Sequence, residues 1–118
     1  MTKTSNPEFL NGVPELLVLQ LLSRRAMYGY ELVRAIKHSS EDVLEFGEGC
    51  IYPILHRLEH DGHLTSRRET VEGRSRVVYR ATASGRKRLA TQTATWQRIA
   101  AAVQTMLQGE RNGKSALA

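Results

Sequence analysis

The sequence lacks the features of secreted, membrane-spanning and disulfide-bonded proteins. Its 118 residues contain one cysteine, which excludes an internal disulfide framework. No apolar run is long enough to cross a membrane or to serve as a signal peptide, so we expect a cytoplasmic protein without a membrane partner. A chain of this length has room for one domain with a moderate core, and a large buried site would need a second copy.

Signatures of enzymes are missing as well. No nucleophile stands beside a candidate base, and neither a phosphate loop nor a pair of acids stands out, so we expect no catalytic residues and no cofactor. His56, His60 and His63 have helical spacing, but no cysteine or carboxylate cluster completes a tetrahedral metal site, and solvent-facing histidines are commoner. Cys50 could have a lowered pKa at a helix N-terminus and sense redox state, although a small residue in a tight place explains it more simply.

Positive charge is what the chain has in excess. Seventeen lysines and arginines stand against twelve aspartates and glutamates, which gives a net charge of +5 and a pI near 9.8. Residues 67–88 alone carry a net charge of +6, with Glu69 and Glu72 as the acids. The basic residues of this segment are Arg67, Arg68, Arg74, Arg76, Arg80, Arg86, Lys87 and Arg88. Such a local excess indicates an anionic partner.

Residues 49–62 are interpreted as a helix that reads DNA. At 100° per residue, four apolar side chains fall on one side, and flat or polar side chains fall on the other. The apolar set is Ile51, Ile54, Leu55 and Leu58, and the opposite set is Tyr52, Pro53, His56, Arg57 and His60. Because proline is costly in a helix interior, the helix should begin near Gly49, and Gly62 marks its end. Recognition helices place N-terminal residues on base edges, although a plain surface helix is the alternative for this stretch alone.

The rest of the chain predicts a mainly α fold with a small β-hairpin (α+β). Two helices joined by a short turn precede the reading helix, and two strands with a basic turn follow it, as in a winged helix-turn-helix. The helices are predicted at residues 14–25 and 28–39, and the strands at 64–71 and 76–81 around a turn at 72–75. The acidic segment 39–49 would repel phosphate, so we expect it to face away from DNA. A solvated connection whose acidic residues lie favourably near a helix N-terminus explains it more simply. The predicted divisions are a DNA-binding domain at 1–82, a dimerisation helix at 83–109 and a disordered tail at 110–118, and residues 1–6 also look loose.

The last predicted helix, which Thr82 can cap, carries a coiled-coil seam. The seam consists of Leu89, Thr93, Trp96, Ala100, Val103 and Leu107. With fewer than three heptads it needs a partner, and the first helix, apolar in nearly every direction, can provide one. In a two-fold dimer the two Trp96 rings should lie near the axis, with small Ala100 leaving space for a flat aromatic ligand. The alternative is that Trp96 only packs against the first helix.

Several short motifs follow one another along the chain. They are Tyr28-Gly29-Tyr30-Glu31-Leu32, then residues 49–59 with their Tyr52-Pro53 and Leu55-His56-Arg57-Leu58-Glu59, then Gly73-Arg74-Ser75-Arg76, Tyr79, Thr82 and Gly85. Together they resemble the motifs of the PadR family of bacterial transcriptional regulators. The resemblance implies a homodimeric repressor whose C-terminal helix packs on the first helix of the other subunit. A single C-terminal helix resembles the smaller subfamily, in which aromatic small molecules can bind near the dimer interface. Gly47 stands where the family often has a small hydroxyl residue.

These observations predict a repressor that binds a palindromic double-stranded DNA operator as a homodimer and is released by a small aromatic effector. The predicted DNA-binding residues are Tyr28, Tyr30, Gly49, Cys50, Tyr52, Pro53, His56, Arg57, Arg74, Ser75 and Arg76. The predicted effector-binding residues are Leu16, Gln20, Trp96 and Ala100, and the predicted dimerisation residues are Leu17, Leu21, Leu89, Trp96, Ile99, Val103 and Leu107. The alternative function is a winged-helix module that binds proteins, with a basic hairpin that is merely solvated.

Overall fold

The computed structural model describes residues 12–109 and the backbone of Thr4 and Ser5. The helices are α1 (Val13–Arg24), α2 (Gly29–Ser39), α3 (Glu48–His60) and α4 (Ala83–Gly109). The strands are β1 (Thr4–Ser5), β2 (Met27–Tyr28), β3 (Leu44–Glu45), β4 (Leu64–Val71) and β5 (Arg74–Ala81). Four helices with a small antiparallel sheet confirm the predicted mainly α, α+β fold class.

The hairpin that follows α3 is tighter than its sequence suggested. β4 and β5 pair antiparallel from Leu64 opposite Ala81 to Val71 opposite Arg74. Only Glu72 and Gly73 connect them, and both have a positive φ (53° and 77°), which is the backbone of a two-residue turn that follows the twist of the strands. The second strand therefore begins at Arg74 rather than at residue 76.

Three very short strands were not predicted. β2 lies between α1 and α2 and pairs antiparallel with β5, which completes a three-stranded sheet in the order β2-β5-β4. β1 pairs parallel with β3, with Thr4 opposite Leu44. The expectation that residues 1–6 are loose is therefore wrong for the backbone of Thr4 and Ser5. The predicted tail at 110–118 lies outside the described residues.

A single core joins the first three helices to the sheet. Its fully buried side chains are Val18, Leu19, Leu22, Leu32, Phe46, Ile51, Leu55, Leu58 and Leu64. The four residues predicted for the inner side of the reading helix are all buried, and that helix ends at His60 as its sequence indicated. In the part of the chain that the structure describes, no helix is both long and apolar enough to cross a membrane.

α4 begins against the end of α3. The Thr82 hydroxyl donates a hydrogen bond to the Gly62 carbonyl at 2.8 Å and accepts one from the Gly85 N–H at 3.0 Å, so Thr82 caps α4 as predicted. Gly85 is buried, and a Cβ there would overlap the His63 carbonyl oxygen. Glycine at this position lets α4 approach the chain that leaves α3.

Candidate nucleic-acid interface

The outer side of α3 is exposed. Pro53, His56 and His60 face solvent along it, and Gly49 is exposed in its first turn. The rings of Tyr52 and His56 lie one turn apart, with centroids 6.3 Å from each other. This side of α3 therefore presents a proline, two imidazoles and an open helix N-terminus, which suit the edges of bases and the phosphates beside them.

Tyr52 differs from its neighbours because it is half-buried. Its ring rests on the first turn of α2, and a Cβ on Gly29 would lie 2.5 Å from the Tyr52 Cζ and Oη atoms. Tyr52 also lies close to Tyr79 of β5. The pKa of Tyr79 is raised, mainly by burial and further by the nearby Glu59 and Tyr52. The Tyr52 side chain thus connects α3 to the start of α2 beside the sheet, and only part of it is exposed.

Tyr28, the residue that precedes α2, is in contact with an arginine of the hairpin. The Arg76 guanidinium carbon lies 4.3 Å from the centroid of the Tyr28 ring, a cation–π geometry, and Arg76 is half-buried. Arg76, which we predicted to bind DNA, lies opposite Glu69 in the third residue pair from the turn, and its guanidinium packs on Tyr28. Residues 28–30 are therefore the junction where α3 and the hairpin meet.

Most of the hairpin's other arginines are engaged by neighbours. Glu69 binds Arg80 at 2.7 Å and Arg67 at 3.0 Å, and these hydrogen bonds hold the pKa of Glu69 below its usual value. Arg68 donates a hydrogen bond to the Ser75 hydroxyl at 3.3 Å. Arg74 is exposed beside the turn and forms no ion pair with any residue of the described range 12–109. A count of charges in the sequence could not show that Arg74 is free of ion pairs among the described residues whereas Arg67 and Arg80 are bound to Glu69.

Arg57 is bound to a carboxylate that sequence reasoning missed. Glu15 of α1 is buried and accepts hydrogen bonds from Arg57 of α3 at 2.7 Å, and from Arg88 and Gln92 of α4 at 2.6 Å each. Burial alone would raise the pKa of Glu15, but the bonds from Arg88, Arg57 and Gln92 outweigh it and lower that pKa. The sequence held one sign of this site, because Glu15 is the only acid in the mostly apolar first helix. Arg57 remains about half exposed while it is bound to Glu15, so its contact with DNA stays a prediction.

Two candidate chemistries of the sequence receive no support from the geometry. Cys50 is half-buried, and burial raises the pKa of its thiol. The alternative that Cys50 is a redox sensor with a lowered pKa is therefore wrong. Within residues 12–109, no three His, Cys, Asp or Glu side chains gather as metal ligands. His63 instead shares a hydrogen bond of 2.8 Å between its Nδ1 atom and the Ser84 hydroxyl.

The first half of α4 packs against α1 of its own chain. Leu89 contacts the core, and a groove of about 240 Å³ lies between the two helices, with Leu16 and Trp96 among its lining residues. Ala100 is half-buried one turn beyond Trp96. Gln20 does not join this site, because it lines a separate groove with Leu17, Leu21 and residues of α2. Leu17 and Leu21 are half-buried there.

The second half of α4 carries an exposed apolar stripe. It consists of Trp96, Ile99, Val103, Met106 and Leu107, whose exposed fractions run from 45% at Trp96 to 76% at Met106. Trp96, Val103 and Leu107 belong to the predicted seam, Ile99 was predicted for dimerisation, and Met106 was missed. The spacing of three and four residues is that of a helix that packs against another helix.

Comparisons with known proteins agree with this architecture. The model of the transcriptional regulator PadR-like family matches residues 18–91. The transcriptional regulator Rv3488 of Mycobacterium tuberculosis is 38% identical over 82 residues, which cover 70% of this chain and 74% of that protein.

Solved structures show the same fold. A PadR family transcriptional regulator from Eggerthella lenta has 30% identity and a TM-score of 0.74 over 86% of this chain and 87% of that one. A PadR-like transcriptional regulator from Bacillus cereus has 28% identity and a TM-score of 0.76 over 87% of this chain and 99% of that one. These relatives are transcriptional regulators, not enzymes. The chain belongs to the PadR-like family of transcriptional regulators.

Proposed function

We propose that the chain is a homodimeric repressor that binds a palindromic operator in duplex DNA. One observation carries this proposal: the exposed side of α3 and the basic hairpin converge on residues 28–30. Tyr52 of α3 rests on Gly29, and Arg76 of β5 stacks on Tyr28. A helix and a hairpin held at one place can enter a groove and contact the adjacent backbone together.

The residues of this surface divide into two roles. Pro53 and His56, with the exposed part of Tyr52, lie on the outer side of α3 and read base edges. Arg74 and the adjacent Ser75 lie beside the hairpin turn and bind phosphate. Base contacts specify a sequence whereas phosphate contacts supply affinity at any sequence, so the two groups should give separable effects.

The exposed stripe on α4 supports assembly of two copies. Five large apolar side chains in one row are unfavourable in water, and a two-fold pair of α4 helices would bury them. A two-fold dimer presents two copies of α3 to DNA, and such a dimer matches an operator with the same symmetry.

The salt dependence of DNA binding tests the proposed function. Fluorescence anisotropy of the full chain with an operator recovered by selection from a random duplex library should show steep loss of affinity as salt rises, because each contacted phosphate releases counterions. A His56→Ala variant should bind unselected DNA as the wild type does and discriminate less between operator and unselected DNA. Failure of the wild type to select any duplex would favour the protein-binding module instead.

We further propose that the groove between α1 and α4 admits a small, flat aromatic effector. Its lining includes Leu16, Thr95 and Trp96, which together provide apolar area and one indole ring. Because Trp96 is the chain's only tryptophan, its fluorescence reports on this groove alone. Titration with planar phenols or polycyclic aromatics should quench Trp96 and release DNA, if the ligand prefers a dimer whose α3 helices are misplaced. Unchanged emission across a broad panel would leave Trp96 with a purely structural role.

A further inference from the structure

A second basic surface lies between the end of α1 and the outer side of α2. An open groove of about 710 Å³ occupies this position, and Arg24, Arg34 and His38 line it. The acid in its lining, Glu31, is already bound to Arg25 at 2.7 Å. The groove therefore offers more positive than negative charge to any molecule that enters it.

Among the residues that the structure describes, the N–H groups of Arg24 and Arg34 in this groove are free to bind a ligand, whereas most hairpin arginines already bind neighbouring side chains. Arg24 is exposed and forms no ion pair with any of residues 12–109. The Arg34 guanidinium carbon lies 5.6 Å from the centroid of the Tyr30 ring, and this stacking orients the side chain without using its N–H groups. By contrast, Arg67 and Arg80 are both bound to Glu69.

The groove lies next to the junction at residues 28–30, because Met27 and Glu31, which flank that junction in sequence, line it. Tyr30, half exposed in the first turn of α2, directly follows the two residues on which Arg76 and Tyr52 rest. Arg34 and His38 follow Tyr30 at steps of four residues along the same side of the helix. At 1.5 Å per residue, the row extends about 12 Å from Tyr30. Duplex DNA bound at the junction could continue toward this row.

We propose that this groove binds the phosphate backbone of DNA that flanks the sequence read by α3. The proposal rests on the proposed function, because it extends the same DNA complex outward. Arginine forms paired, charge-assisted hydrogen bonds with phosphate oxygens, and such bonds require no particular base. The groove thus adds affinity that depends on duplex length and salt but not on flanking sequence.

A charge-matched pair of variants tests this groove. Arg24→Ala/Arg34→Ala removes two exposed donors from the groove, and Lys87→Ala/Arg98→Ala removes the same charge from exposed positions on α4. Anisotropy is measured on a selected operator in a short duplex without flanks, and on a duplex with about 15 added base pairs at each end, roughly one and a half helical turns. Circular dichroism melting and sedimentation confirm that each variant keeps its fold and assembly.

The groove variant should bind the short duplex as the wild type does and lose the extra affinity that the flanks provide. Its salt slope on the long duplex should fall by about 0.9 for each phosphate that the variant no longer binds, and the α4 variant should keep the wild-type slope. Three results would overturn the groove assignment while leaving the proposed function intact. The groove variant could keep the full extra affinity for the long duplex, or both variants could lose the same affinity. The groove variant could also lose as much affinity for the short duplex as for the long one. If the wild type binds no duplex, both proposals fail together.

Discussion

At the scale of single residues, Glu15 connects three helices. One oxygen of its carboxylate binds Arg57 of α3, and the other binds Arg88 and Gln92 of α4. Its folded-state pKa is lowered below the usual value of 4.5. The stability that it contributes is therefore fully present above that value and is lost as the pH falls through the folded pKa.

Glu15→Gln should lower the free energy of unfolding by about 2 kcal/mol at pH 7, because it leaves two arginines facing a neutral amide. The two arginines are about half exposed, so water limits the loss. The difference from the wild type should shrink as the pH falls through the lowered pKa of Glu15. A series of urea denaturations from pH 7 downward measures this.

Glu31→Gln is the matched control for Glu15→Gln. It removes a carboxylate from an exposed pair with Arg25, and such pairs contribute about 0.5 kcal/mol. An equal cost for the two substitutions at pH 7, or a Glu15→Gln cost that does not change with pH, would contradict the role given to Glu15.

Gly29 and Gly85 should respond differently to the same change. A Cβ on Gly29 meets the far end of the Tyr52 ring, which can swing away, whereas a Cβ on Gly85 meets the fixed backbone of His63. Gly29→Ala should change stability by less than about 1 kcal/mol, because alanine favours the helix, yet weaken DNA binding by displacing Tyr52. Gly85→Ala should cost about 2–3 kcal/mol. Thermal melts measure the stability of both variants, and anisotropy measures their DNA binding. If Gly29→Ala folds and keeps the wild-type DNA affinity, the position of Tyr52 does not matter for DNA recognition.

At the scale of elements, two arginines of β5 should have separable roles. Arg74 is exposed beside the turn, whereas Arg76 stacks on Tyr28. Arg74→Ala should weaken binding to specific and nonspecific DNA alike and flatten the salt dependence by about one unit of slope. Arg76→Ala should mainly lower stability, by about 1 kcal/mol, because it removes the cation–π interaction with Tyr28. An Arg74→Ala variant with wild-type DNA affinity and salt slope would show that the hairpin does not bind phosphate.

The elements also show which kinds of information the sequence carries. Periodic patterns predicted all four helices and the β4–β5 hairpin, because side chains at helical or alternating spacing must share one buried side. β1, β2 and β3 have two residues each, too few for any period, and their pairing depends on tertiary position. For the same reason, residue types could not reveal that Arg57 is bound to Glu15, which lies 42 positions away.

At the scale of the whole molecule, the apolar stripe of α4 should decide the assembly state. α4 is about 40 Å long at 1.5 Å per residue, and its second half exposes Trp96, Ile99, Val103, Met106 and Leu107. Val103→Asp should convert a dimer into a monomer at micromolar concentration, because the paired stripe cannot bury a carboxylate. Ala101→Asp, exposed on the opposite side of α4, should remain dimeric. Sedimentation equilibrium measures both, and a monomeric wild type would exclude the proposed dimer.

Hydroxyl-radical footprinting of the full chain on a selected duplex tests most directly the central claim, that a two-fold dimer reads DNA with two copies of α3. Two α3 helices in successive major grooves should protect two tracts on one side of the duplex, related by a dyad and centred about 34–36 Å apart. The Val103→Asp monomer should lose this paired pattern at the same protein concentration. A single protected tract at saturation, or two tracts without a dyad, would contradict the claim.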